Sequence, residues 1–400
     1  MVGSNTAPIR WAAWAGDEDL TLAFPEAWQV RACPPADAPD VGDEGVAAAF
    51  ASPIGTTRLR DLARGRRTAC IVIDDLTRPT RGDRLVPPIL SELIAAGIAE
   101  TDVRVLAGIA NHRPMIGEDL IKKLGRDVMS RCRVDQHLSW EGCVALGTTS
   151  RGTPVEINAT FVDADVRILV GSIIPHAGTG FSGGAKLLMP GIASITSAEA
   201  FHRGPAMHGR YNVVETEARL DAEEAARIAG VDAIVNSVPT SRMGIAGVVV
   251  GDVVTAHRAG VEMAREVFAT DAPAEADVVV LSLYPKDGEF LQHLTAFSPY
   301  KTAPQPIVRA GGTVVVALAA TEGLGYHALF GPGRRLAAPS ATRLRDRDVV
   351  FFCPNLYPTE VPEGTVLLRT WDETVAWLAA KHGDAASVSV FPCATMQLAG

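Results

Sequence analysis

The chain has 400 residues, with 37 Lys and Arg against 46 Asp and Glu, a formal charge of -9 at pH 7, 47% apolar and 21% charged residues. These proportions exclude a disordered chain and a disulfide-stapled one, and the length fits roughly two or three domains. The acidic balance argues against a nucleic-acid or anionic-membrane surface, which needs clustered Lys and Arg. The six Cys (33, 70, 132, 143, 353 and 393) are scattered without a C-x-x-C pair and read as reduced thiols. With no leader-like N-terminus and no long apolar run, the expected location is cytoplasmic.

In chain order, short β-branched runs alternate with helix-like stretches, the pattern of an α/β protein with largely parallel sheets. Residues 68–73 (TACIVI) predict a buried strand ending at Asp74 and Asp75. Pro79 and Pro87 flank a predicted turn, followed by an amphipathic helix over 89–98 and a strand over 103–106. A second strong strand is predicted over 166–174, and helices over 213–230 and 254–268. Residues 269–274 (ATDAPA) have a linker's composition. The expected organisation is therefore a cofactor-binding α/β domain over 1–270 and a smaller α/β domain over 271–400. The second holds strands at 278–283, 313–318 and 349–353 and a helix at 372–381, and the active site is expected in the cleft between the domains.

Polar residues suited to chemistry follow the strands, where open α/β sheets bind ligands. Asp75, Thr77 and Arg78 lie directly after the first strand, and a guanidinium fork there suits a substrate carboxylate. His112 sits in Gly108–Pro114 after the next strand and has an imidazole's near-neutral pKa for general-base work. The densest stretch is PHAGTGFSGGAK, residues 175–186. Its glycines let backbone N–H groups converge on an anion, with Ser182, Gly183 and Gly184 as the expected cradle and Lys186 at its end. It is not a Walker A loop, because Ala185 separates Gly184 from Lys186 and Leu187 follows. His202 or His208 offers a metal an imidazole, without Cys or carboxylate partners at ligand spacing.

Together these stretches resemble the lactate racemase family, enzymes that use a nickel-pincer nucleotide. The resemblance is carried most specifically by His176, Lys186 and His202, which stand ten and then sixteen residues apart. It implies that Lys186 joins the cofactor and that His202 is the protein's ligand to nickel. It also implies that Asp75, Thr77, Ser182, Gly183 and Gly184 contact the cofactor, and that the enzymes that synthesise the cofactor are partners. The implied reaction is a racemisation or epimerisation of a 2-hydroxy acid by reversible hydride transfer through a 2-keto acid. His112 and His176 would act as the two bases, one for each enantiomer, with Arg78 and Gln292 on the substrate.

Where the family has Tyr-Gln-x-x-Lys, this chain reads Leu291-Gln292-His293-Leu294-Thr295. Losing the Tyr and the Lys points away from lactate, toward a larger or differently charged 2-hydroxy acid. Lys286, His293 and Lys301 are candidate replacements, although each is expected on a surface. Two other readings of the residues are a glycine-loop phosphotransferase and a non-catalytic homologue that retains the cofactor pocket.

Overall fold

The computed structural model describes residues 5–330, 334–336 and 344–400. The chain folds as two units, Ala38–Val267 on the one hand and Met1–Asp37 with Phe268–Gly400 on the other.

The unit Ala38–Val267 is built on a six-stranded sheet. In chain order its strands are Ala69–Asp74, Val103–Gly108, Arg133–Gln136, Val166–Ser172, Ala233–Pro239 and Ile245–Gly251. Numbered in that order they lie side by side as 6-5-4-1-2-3, and only the last, against Ala233–Pro239, is antiparallel. This is the doubly wound arrangement expected of a parallel sheet covered on both faces. Accordingly Ala69–Asp74 (ACIVID) is buried at every position.

The helix Gly82–Ala95 starts seven residues before the predicted 89 and holds Pro87 and Pro88 inside it. Each proline removes an intrahelical donor, but Leu85, Val86, Ile89, Leu90 and Leu93 form a fully buried stripe against the sheet, and that burial offsets the loss. The helix Gly117–Arg131 is interrupted at Gly125, whose φ of 74° breaks the helical path.

The other unit has a six-stranded, wholly parallel sheet in the order Val366–Leu368, Asp348–Phe352, Val308–Ala317, Ala276–Ser282, Ser387–Phe391, Gln29–Ala32. The predicted single boundary near 271 lies close to the second crossing of the chain, after Val267, but the first thirty-seven residues part from the 1–270 grouping. Thr6–Trp11 forms a hairpin with Glu18–Ala23, and Gln29–Ala32 adds an edge strand beside Ser387–Phe391. That edge strand, QVRA, is mostly exposed and carries no apolar alternation to reveal it. Within the predicted linker, Ala269–Thr270 pairs with Leu398–Ala399. Five of the six cysteines are buried and all are free thiols. No helix among the described residues is long and apolar enough to cross a membrane.

Candidate active site

The order of the first sheet changes direction between Ala69–Asp74 and Val166–Ser172, and ligands of such sheets bind beyond the carboxyl ends at that switch. Loops from these two strands and from Val103–Gly108 line a pocket that is open to solvent. Asp75, Arg78, His112, Ser182, Gly183 and Lys186 all line it, so six of the residues expected from sequence converge on one place.

The Asp74–Thr80 loop is tied from behind. Lys123 is fully buried, and its Nζ lies 2.6 Å from Asp74 Oδ1 while donating to the carbonyls of Asp75 (2.8 Å) and Arg78 (3.0 Å). Thr80 Oγ1 donates to the other Asp74 oxygen at 2.6 Å. Asp75 turns into the pocket. Its Oδ1 accepts from the Thr77 amide (2.9 Å) and hydroxyl (2.5 Å), and its Oδ2 stands 2.6 Å from His112 Nδ1. Burial alone would raise the Asp75 pKa, but the His112 ring, Arg78 and the Thr77 hydroxyl together hold it well below the usual carboxylate range. Thr77 thus acts through Asp75, and Arg78 Nη1 folds back onto the Thr77 carbonyl (3.1 Å) and hydroxyl (2.7 Å).

His112 follows Ala110, a non-glycine residue at φ 51°, so the turn that presents the imidazole is strained. Between them, Asn111 is 2% exposed, and neither atom of its amide has a hydrogen-bond partner among the described residues. A buried amide left unpaired costs about 1–3 kcal/mol, an arrangement that a polar ligand group would repair. Ser172 Oγ, at the end of its strand, is buried and unpaired in the same way.

The glycine loop departs from expectation. Its amides do not converge on an anion: the Ser182 N–H donates to the Ile174 carbonyl (2.8 Å) and the Gly184 N–H to Asn236 Oδ1 (2.6 Å). The Ser182 hydroxyl bridges the Ser172 carbonyl (2.6 Å) and the Ile174 amide (3.0 Å). The Ser182 and Gly184 amides are thus committed within the fold, whereas the Gly183 amide has no hydrogen-bond partner among the described residues. The loop's carbonyls are captured from behind. Arg219, fully buried, donates to those of Phe181 and Gly183 (2.9 Å to the latter), and His257 Nε2 donates to that of Ser182 at 2.9 Å. Glycine is required here, because Gly183 (φ 73°) and Gly184 (φ 57°) are left-handed, and a Cβ would meet Asn236 at 2.8 Å or His257 at 2.8 Å.

Lys186 leaves the loop into the pocket, with no carboxylate in ion-pair range of its Nζ among the described residues. Burial, reinforced by the charges of Arg78 and Arg219, pushes its pKa well below the ordinary lysine value. His202 lies on the helix Ile195–Arg203, and its Nδ1–H donates to the Ala198 carbonyl at 2.6 Å, which puts the neutral ring's lone pair on Nε2. Burial, helped by the Lys186 and His112 side chains, lowers its pKa to about 4 against the opposing effect of that hydrogen bond. An amine whose charged form is disfavoured by burial and an imidazole oriented with its lone pair on Nε2 are the donor set that an amide-tethered, soft-ligated metal cofactor needs. Among the described residues no three His, Cys, Asp or Glu side chains gather as a metal site of their own.

His176 sits in a two-residue strand paired with Gly180–Phe181, its Nδ1 facing the Gly178 amide (3.1 Å) and the Thr179 amide (3.3 Å). His208 is exposed. Gln292 belongs to the other unit, on the turn Phe290–Phe297, where it donates to Glu289 at 3.0 Å. Of the candidate replacements nearby, Lys301 is exposed as expected, but Lys286 and His293 are buried. His293 stacks on Phe290 at 4.7 Å between ring centroids, and its Nδ1–H donates to the Phe290 carbonyl at 2.8 Å. Lys123, Arg219, His257, Asn236 and Asn111 had no role in the sequence reading. The only signal for any of them was the position of Asn111 beside His112.

Residues 15–213 match the family described as lactate racemase N-terminal domain. The lactate racemase of Thermoanaerobacterium thermosaccharolyticum is 32% identical over 292 residues, spanning 70% of this chain and 67% of that protein. That of Lactiplantibacillus plantarum is 28% identical over 382 residues, spanning 87% and 89%. Among solved structures, the lactate racemase apoprotein from T. thermosaccharolyticum superposes with a TM-score of 0.78 at 24% identity, covering 98% of this chain and 100% of that one. A Thermotoga maritima protein gives 0.67 at 15%, covering 91% and 99%. The two superpositions speak for the fold alone. The class is thereby that of the isomerases, and within it the racemases. The chain belongs to the lactate racemase family.

Proposed function

We propose that the protein racemises or epimerises a 2-hydroxy acid other than lactate, using a nickel-pincer nucleotide. Lys186 would tether the nucleotide and His202 Nε2 would ligate its nickel. When bound, this group supplies a reversible acceptor for the hydride at C2 of the substrate, so that no base has to remove a weakly acidic C–H proton. His112 and His176 handle the proton of the 2-hydroxyl, one for each enantiomer. Arg78 holds the carboxylate once its guanidinium turns from Thr77 to the substrate, a charge-assisted fork. Leu291 and Thr295, where the family pattern carries Tyr and Lys, favour a substrate other than lactate.

The observation that carries this reading is the pocket shared by Lys186 and the Asp75–His112 pair: an amine without a carboxylate partner opposite an oriented imidazole. The test is polarimetry on protein co-expressed with the cofactor-synthesising enzymes, against enantiopure 2-hydroxy acids of graded size and charge. Interconversion of one of them, with nickel bound and a mass increment on Lys186, is expected. Nickel-free, unmodified protein, or loaded protein that turns over no hydroxy acid, would overturn it.

A further inference from the structure

Building on that racemase reading, we infer that Asp75 is the positioning residue of His112, and that the two proton-handling histidines rest as opposite tautomers. His112 presents a lone pair at Nε2, and His176 presents an N–H there.

The hydrogen-bond partners force this assignment. Asp75 Oδ2 stands 2.6 Å from His112 Nδ1, and a carboxylate only accepts, so Nδ1 carries the proton. The carboxylate is itself fixed: the Thr77 amide (2.9 Å) and hydroxyl (2.5 Å) both donate to Asp75 Oδ1. At His176 the polarity is reversed. The amides of Gly178 (3.1 Å) and Thr179 (3.3 Å) both point at Nδ1, and an amide N–H only donates, so Nδ1 holds the lone pair and Nε2 the hydrogen. The Thr179 hydroxyl, 3.2 Å from the same nitrogen, spends its proton on the Phe181 carbonyl at 2.8 Å.

The two residues are therefore not interchangeable. In the proton step the substrate O–H bond breaks, the electron pair stays on oxygen, and the proton ends on His112 Nε2. The imidazolium so formed keeps its Nδ1–H on the Asp75 carboxylate, which stabilises it. His176 holds its hydrogen on Nε2 in the resting enzyme, and it becomes a base only when its ring turns away from the Gly178 and Thr179 amides. Asp75, expected from the family resemblance to contact the cofactor, here acts on the histidine.

The test reads tautomers directly. The full chain is labelled with ¹⁵N-histidine without cofactor, and its ring nitrogens are recorded above the ordinary imidazole pKa, with His112→Ala and His176→Ala as assignments. The expected spectrum has His112 protonated at Nδ1 and His176 at Nε2, and Asp75→Asn moves the His112 proton to Nε2. His112 protonated at Nε2 in the parent, or a folded Asp75→Asn chain with an unchanged His112, overturns the inference. If the Asn variant does not fold, the parent spectrum alone decides. In loaded enzyme Asp75→Asn should lower racemisation by about 10⁴-fold, the scale of a histidine locked in the wrong tautomer. Loaded parent that turned over no hydroxy acid, yet showed the opposite tautomers, would sink the racemase reading and leave the Asp75–His112 pairing standing.

Discussion

The two loops that flank the sheet's switch point are held by the same device with opposite electrostatic results. Lys123 sits behind Asp74–Thr80 and Arg219 behind Phe181–Lys186, each fully buried and each binding backbone carbonyls. Lys123 is neutralised on the spot by Asp74 at 2.6 Å. Arg219 has no ion pair among the described residues; the carboxylate that acts on it most, Glu223, is itself bound by Arg258 at 2.7 Å. One loop is thus fixed without net charge, and the other carries a buried positive charge behind it. That charge favours a neutral Lys186 and an anionic ligand, although the loop's own amides are mostly committed elsewhere.

Breaking the neutral pair should have the largest effect. Lys123→Met strands Asp74 and two carbonyls, and a denaturant titration should show a loss of about 3–5 kcal/mol, the cost of orphaning a buried ion. Arg219→Met leaves several carbonyls unbound while removing a charge that is costly to bury, so about 2–3 kcal/mol is expected. In the same variant Lys186 should react with an amine-directed acylating reagent only at higher pH than in the parent, read by peptide mass spectrometry. An Arg219→Met chain with an unchanged Lys186 profile would remove the charge asymmetry between the loops.

Acid sharpens the contrast further. Burial, then the Arg219 charge, holds the His257 pKa well below its ordinary 6.5. The unfolded chain therefore binds the extra proton first, and stability falls as pH drops below about 6.5. Asp75 is displaced in the same direction, so its contribution is complete above its unfolded value of 3.8 and is lost only below that. The glycine loop is expected to fail first, and His257→Gln should flatten the decline below 6.5 in a pH series of thermal melts. The smallest change in stability belongs to Asn111→Leu. Removing an unpaired buried amide should leave the ligand-free chain within about 1 kcal/mol of the parent, or stabilise it, while turnover in the loaded enzyme falls. A clear loss of stability would show that the amide is already satisfied.

Much of the site was legible because strand ends announce themselves. A β-branched run that stops at Asp-Asp, or at Gly-Ile-Ala-Asn-His, marks where a parallel sheet offers its ligands, and His112, Lys186 and Arg78 follow from that. The cations behind the loops were not legible. Arg219 lies in the helix Glu217–Ile228 among Glu, Asp and Ala, where sequence reads a solvated face. Lys123 follows Lys122 in a segment of the same kind, and only docking of its helix buries one of the two. The partners of the glycine loop's amides were hidden for a related reason. Glycine spacing reports that a loop is tightly turned, but not which partners its amides find, and here Ile174 and Asn236 take two of them. In the other unit, the hairpin Thr6–Trp11 and Glu18–Ala23 and the edge strand Gln29–Ala32 escaped because their partners are local and polar, or lie near the far end of the chain.

That last pairing sets an order of events during synthesis. Gln29 lies opposite Ser387, so at 5–20 residues per second the strand Gln29–Ala32 waits roughly 20–70 s for this neighbour to be translated. The contiguous stretch Ala38–Val267 has all six strands of its sheet in hand well before then. The pocket can consequently mature on a nascent chain in which Gln29–Ala32 is still without its partner strand, and that segment is where chaperones should be found bound to stalled translation products.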